Sequence, residues 1–126
     1  MSSYLFVYGT LMDSENEIAE ILRLNSTFVA TGKFKGKLYD IGEYPGAVLV
    51  NDGYNFVFGS ILLINSPEET FKVLDEYEGF GEDEEQPNLF VRYLLDIETA
   101  TEITKCWVYL YNLPVAGFKQ ITSGKW

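Results

Sequence analysis

Histidine is absent from this 126-residue chain, and cysteine occurs once, at position 106. Without histidine, neither a Ser-His-Asp nor a Cys-His arrangement can activate a nucleophile. Zinc sites that need an imidazole ligand are excluded with them. A lone Cys106 cannot form a disulfide within the chain or a thiolate cage around a metal. Acid–base chemistry must therefore come from carboxylates, lysine, tyrosine or the backbone, and neither metal nor cofactor is expected. Positive charge is also scarce, with nine Lys and Arg against nineteen Asp and Glu, a net charge of −10. Binding nucleic acid needs a basic stripe, and an anionic membrane surface repels such a chain. No apolar run approaches the ~20 residues of a membrane-spanning helix. The start Met1-Ser2-Ser3 lacks the basic region of a signal peptide, so a cytoplasmic location is expected.

What the chain has in quantity is apolar and aromatic side chains, 47% and 16% of residues respectively. A chain of this length buries roughly two-thirds of its unfolded surface and can hold a core without staples. It contains no linker-like tract and no internal repeat, so residues 1–126 are read as one domain. Strand-like segments, rich in aromatic and β-branched residues, span Tyr4–Tyr8, Thr27–Leu38, Ala47–Val50, Phe56–Ile64, Phe90–Ile97 and Lys105–Tyr111. In the second, Phe28, Ala30, Gly32, Phe34, Gly36 and Leu38 share one parity, an apolar face interrupted by small residues. Glycine inside a strand marks a bulge, bend or close approach, here and at Gly59, as a small closed barrel requires.

Two helices complete the pattern. Glu15–Leu24 places Ile18, Ile21 and Leu22 at helical spacing. The second runs from Ser66, a candidate N-cap forming a capping box with Glu69, through Pro67 at the first helical position to Gly79 just past its end. The expected fold class is α+β, a small, mostly antiparallel β-barrel with two short helices packed against it.

Three places could carry chemistry. In Val7–Met12, strand one stops at Gly9 before the first helix, and such a loop can aim several backbone N–H groups at an anion. Its plain alternative is an ordinary turn capped by Asp13 or Ser14. At the end of the second helix, Asp75, Glu76 and Glu78 crowd the negative end of the helix dipole, which pushes a carboxyl pKa upward. Glu78 follows Leu74 by four residues and so lies on the inward face, whereas Glu76 points away. Solvated charge is the plain reading of all three. The third, Leu38–Val48, contains Tyr44-Pro45-Gly46, which reads as a turn between strands. Arg92 is expected to pair with a carboxylate, Tyr109 and Tyr111 to share one aromatic face, Cys106 to be apolar filler, and Glu82–Glu85 to be a solvated loop.

Taken in order, VYGTLM, LYDIGEYPGAV, LDEYEGF, FVR and WVYLYN…ITSGKW resemble the gamma-glutamylcyclotransferase-like superfamily over essentially the whole chain. The resemblance implies a small β-barrel with helices packed against it, and cyclisation of a gamma-glutamyl group to 5-oxoproline with release of an amine or amino acid. It implies Glu78 as the catalytic acid/base, and Tyr8, Gly9, Thr10 and Leu11 as a loop holding the substrate's carboxylate and carbonyl oxygen. The nucleophile is then the substrate's own α-amine, which suits a chain without histidine. Phe90 stands where tyrosine is common, so a hydroxyl is missing there. The acidic Glu82–Glu85 loop disfavours anionic substrates and tolerates neutral or cationic leaving groups better. The implied partner is a small molecule; a non-catalytic module binding gamma-glutamyl or carboxylate ligands is the alternative, and oligomeric state is open.

Overall fold

A computed structural model describes residues 2–9 and 17–126. The elements in chain order are β1 (Tyr4–Val7), α1 (Glu17–Leu24), β2 (Ser26–Asp40), β3 (Pro45–Leu49), β4 (Phe56–Ile64), α2 (Pro67–Glu78), β5 (Phe90–Glu98), β6 (Ile103–Tyr111) and β7 (Lys119–Gln120). The strands follow the order β3-β2-β4-β1-β6-β5, and β2 also pairs with β5 through Lys33 and Glu98. That last pairing closes β2-β4-β1-β6-β5 into a five-stranded barrel. All its ladders are antiparallel except β1 with β6, where Leu5 faces Trp107. The expected α+β barrel with two helices is the observed one.

Closure depends on the glycines. A Cβ on Gly32 would sit 2.6 Å from Ile97 Cγ2 and 3.0 Å from the Glu98 carbonyl oxygen, so only glycine lets β2 approach β5 here. Five strands then contribute to one interior cluster that includes Phe6, Phe34, Val57, Ile61, Ile97 and Val108. A second cluster fills the space under the helices, where Leu5, Leu22, Leu62, Phe71, Leu74 and Tyr109 meet. Strands β1 and β6 are apolar on both faces because one faces the barrel interior and the other the helices. Cys106 is fully buried filler in the first cluster, its thiol pushed up to about 12 by burial. Tyr109 and Tyr111 share the helix-facing side, as their spacing implied.

Three local expectations are corrected. The shared parity of β2 breaks at a bulge between Phe28 and Ala30, which leaves Phe28 and Val29 exposed while Phe34 and Leu38 stay buried. The turn before β3 is not at Pro45-Gly46. It lies at Ile41–Tyr44, closed by Ile41 N–H donating to the Tyr44 carbonyl at 3.1 Å and shaped by Gly42 at φ 130°. Pro45 instead opens β3, an edge strand that tolerates a missing N–H, and Gly46 packs where a Cβ would meet Tyr111 at 2.9 Å. Ser66 makes no side-chain cap: at φ 49°, ψ 59° it lies in the left-handed region and not in the extended region from which an N-cap side chain reaches the first-turn N–H groups. Pro67 does open α2, and Gly79 at φ 75° ends it, with Gly79 N–H on the Glu76 carbonyl and Phe80 N–H on that of Asp75. Of the first helix expected at Glu15–Leu24, Glu17–Leu24 is helical, and residues 15–16 lie outside the described residues.

Candidate active site

The double hydrogen bond that stops α2 at Gly79 fixes where its final residue points. Glu78 is half-buried and lines a cavity of about 210 Å³. Tyr8 and Gly9, just past the end of β1, line the same cavity. Tyr44 and Pro45, Leu89 and Phe90, and Tyr109 from β6 supply the remaining walls, with Tyr77 at the edge of α2. Fold closure thus brings together Glu78, Tyr8 and Gly9, residues about seventy positions apart in the chain. Thr10 and Leu11, the other two residues expected in the substrate loop, lie outside the described residues.

Burial pushes the Glu78 carboxyl up to about 7. No ion pair to it forms among the described residues, and its place at the helix C-terminus works in the same direction. A carboxyl with that value is half-ionised near neutrality and can both take and return a proton. Glu76, by contrast, is exposed on the far side of the helix.

Tyr8 has a more structural use than its place in the expected substrate loop suggests. Its hydroxyl donates to the Tyr109 carbonyl and accepts the Ala47 N–H at 3.3 Å, tying β1 to β6 and β3 behind the cavity. Burial raises this phenol's pKa far above its usual value, and the Glu78 charge adds to that, against the lowering effect of the Ala47 N–H. Tyr8 therefore offers the cavity its ring while its hydroxyl braces the wall. Gly9 sits so close to Pro45 that a Cβ would be 2.8 Å from the proline Cγ.

Below Glu78 lies a network that sequence reasoning resolved only in part. Arg92 was expected to find a carboxylate, and the partner is Asp75, held by Nε at 2.7 Å and Nη2 at 3.0 Å. The Tyr109 hydroxyl donates to the same carboxylate oxygen at 2.7 Å. The guanidinium carbon of Arg92 lies 4.6 Å from the ring centre of Phe71 and 4.5 Å from that of Trp107, and Arg92 Nη1 is buried with no hydrogen-bond partner among the described residues. Burial, the hydrogen bond to Asp75 and the Asp75 charge all raise the Tyr109 pKa, so this cavity-lining phenol stays protonated. Asp75 is thus neutralised by Arg92, and Glu78 alone of the three acids at the helix end faces the cavity.

Sequence reasoning missed Tyr44, Tyr77, Leu89, Phe90 and Tyr109 as cavity walls. Their one available signal was aromatic density near turns, which is equally a signal of ordinary core. Phe90 packs its ring against Tyr44 at 5.9 Å and Tyr111 at 5.5 Å between centres. Among the described residues no group of three or more His, Cys, Asp or Glu is placed to hold a metal, and no helix is long and apolar enough to cross a membrane.

With this geometry in view, the comparisons are decisive at the level of family. The family model described as "Gamma-glutamyl cyclotransferase, AIG2-like" matches residues 5–126. The chain belongs to the gamma-glutamylcyclotransferase family. It is 30% identical to the gamma-glutamylcyclotransferase family protein YtfP of Escherichia coli K12, over 97% of this chain and 94% of that protein. It is 32% identical to the gamma-L-glutamyl-butirosin B gamma-glutamyl cyclotransferase of Niallia circulans, over 86% of this chain and 66% of that enzyme. The solution structure of Escherichia coli ytfP superposes with a TM-score of 0.71 at 28% identity, covering 98% of this chain and 95% of that one. Membership of this family supports an enzyme of the gamma-glutamylcyclotransferase kind.

Proposed function

We propose that the protein cyclises a gamma-glutamyl amine or peptide to 5-oxoproline, releasing the amine, with Glu78 as the acid/base. The observation that carries this reading is a single carboxyl, raised to about 7, facing a cavity whose other described walls are uncharged. The substrate's α-ammonium loses a proton to the Glu78 carboxylate, and the freed α-amine attacks its own γ-carbonyl carbon. As the new C–N bond forms, the old one breaks, and the protons shed by the attacking nitrogen pass through Glu78 to the departing nitrogen. Tethering nucleophile and electrophile in one molecule supplies up to ~7–11 kcal/mol of the barrier reduction when the two are well oriented. Backbone N–H groups of the segment Gly9-Thr10-Leu11 are assigned to the substrate's carboxylate and developing oxyanion. This assignment needs neither metal nor cofactor.

The test is direct. Purified protein incubated with a panel of gamma-glutamyl amines and dipeptides, with chelator present, is expected to form 5-oxoproline. Silence across the panel, together with binding of 5-oxoproline, would instead favour a non-catalytic module on the same fold.

A further inference from the structure

The end of α2 that carries Glu78 is held through one residue, Asp75. Its carbonyl accepts the Phe80 N–H at 2.9 Å, so the chain is bridged across Glu78. Its carboxylate is held from the sheet. Arg92 and Tyr109 stand directly opposite each other on β5 and β6 and so project from the same face of that ladder. Both reach Asp75: Arg92 Nε and the Tyr109 hydroxyl donate to Oδ1, each at 2.7 Å, and Arg92 Nη2 donates to Oδ2 at 3.0 Å. Arg92 has little freedom to leave, because its guanidinium lies over the Phe71 and Trp107 rings, and the Trp107 indole N–H is itself tied to the Ser2 carbonyl at 3.0 Å.

The network has a charge consequence as well as a geometric one. Asp75 precedes Glu78 by three residues, a separation at which helical side chains are neighbours, about 5–6 Å apart between Cβ atoms. An unpaired carboxylate there would repel a Glu78 charge, and an unpaired guanidinium would attract it. Locked together, the two present Glu78 with no net charge, which leaves burial as the cause of its raised carboxyl. Tyr109 lies within the field of all three groups, since the Asp75, Arg92 and Glu78 charges each act on its phenol. Among the described residues, the titratable groups that the other elements bring to the cavity are the Tyr8, Tyr44 and Tyr109 phenols. On α2 itself Tyr77 lies at the cavity edge and Glu76 is exposed, while the β5 side brings only the apolar Leu89 and Phe90.

We propose that Asp75 and Arg92 are positioning residues for Glu78: clamped to each other and to Tyr109, they fix the last turn of α2 against β5 and β6 and cancel each other's charge beside the acid/base. The inference rests on reading Glu78 as the acid/base of this site. Neither the Asp75 nor the Arg92 side chain lines the cavity, so their effect reaches a bound molecule only through Glu78 and Tyr109.

Charge-selective variants, read by the titration of Glu78, separate this role from simple packing. The probe is the Glu78 side-chain carboxyl carbon, followed by NMR in protein carrying isotope-labelled glutamate and identified by its loss in Glu78→Gln. The pH dependence of 5-oxoproline formation is measured beside it. Arg92→Met strands the Asp75 charge, and the Glu78 value should move up by about one pH unit. Asp75→Asn strands the Arg92 charge and should move it down by about one pH unit, and the double variant should return it to near the wild-type value. Arg92→Lys keeps the charge and loses the two-pronged grip, so the value should stay in place while kcat falls about tenfold and KM changes by less than about twofold. A merely structural pair gives a different pattern: loosening admits water, and the Glu78 value falls in all four variants towards that of an ordinary carboxyl. That pattern, or no movement in either charge-stranding variant, would overturn the inference. If Arg92→Met does not fold, the other two single variants decide: a value unmoved in Arg92→Lys and lowered in Asp75→Asn supports the inference, and any other result overturns it. If no gamma-glutamyl compound is turned over, the cyclotransferase reading fails, and the NMR titration still decides this inference.

Discussion

Replacing Glu78 with glutamine separates proton transfer from everything else this residue does, because the two side chains have nearly the same shape. The structure gives an expected effect on stability as well as on rate. A carboxyl raised from 4.5 to about 7 costs about 3 kcal/mol more to ionise in the folded chain than in the unfolded one. Solvent reaching this half-buried group reduces the realised figure to about 1–2 kcal/mol. The sign follows from where each state titrates. Below about pH 4 the carboxyl is protonated in both states, and wild type and Glu78→Gln should be equally stable. As pH rises towards 7 the unfolded chain ionises first, so the wild type loses stability, and the full penalty is present above the folded value. Glu78→Gln never ionises and avoids this loss. Thermal unfolding should therefore give coincident midpoints near pH 4 and a variant more stable by on the order of 5 °C at pH 8, at roughly 3–5 °C per kcal/mol for a domain of this size. Formation of 5-oxoproline should fall at least ~100-fold, since acid–base catalysis is worth ~10²–10⁴. The wild-type kcat/KM should rise with pH along a limb near 7 that the variant lacks. A variant destabilised at pH 8, a stability difference independent of pH, or near-normal turnover would refute the reasoning.

The remaining predictions concern the supports and a control. Arg92→Met keeps the aliphatic stem between Phe71 and Trp107 but strands the Asp75 carboxylate, so chemical denaturation should show a loss of about 2–4 kcal/mol; adding Asp75→Asn should recover part of it, and an additive double variant would contradict the pairing. Gly59→Ala drives a Cβ to 2.2 Å from the Val7 carbonyl oxygen and 2.8 Å from the Phe6 ring; it should cost about 2–4 kcal/mol and weaken 5-oxoproline binding by displacing the end of β1 that carries Tyr8 and Gly9. Glu76→Gln, on the exposed side of α2, should change stability by less than ~0.5 kcal/mol and turnover by less than twofold. Equal losses in Glu76→Gln and Glu78→Gln would sink the assignment of Glu78.

Much of this protein is legible in the residues themselves. Absent histidine and scarce cysteine remove whole classes of chemistry on composition alone. Aromatic and β-branched runs locate six of the seven strands, and Pro67 and Gly79 mark the ends of α2, because these are local preferences of the backbone. Glycines inside strands announce a bent, closed sheet, since a missing Cβ has few other uses there. Spacing from Leu74 also places Glu78 on the inward face of its helix.

What local pattern could not decide was anything that depends on residues distant in the chain. That Arg92 answers Asp75, and not another of nineteen acids, follows from β5 passing beneath the last turn of α2. The elevated pKa of Glu78 required knowing which side chains exclude water from it, and those come from β1, the β3 turn, β5 and β6. The hydroxyl of Tyr8, which as a sequence motif belongs with substrate, is spent on the Tyr109 carbonyl because β1 and β6 are neighbours in the barrel. Sequence determines what each segment prefers and which chemistries are possible; barrel closure alone decides which charges are neutralised and which carboxyl among the described residues is left facing the cavity, because burial and Coulomb interactions act through space and not along the chain.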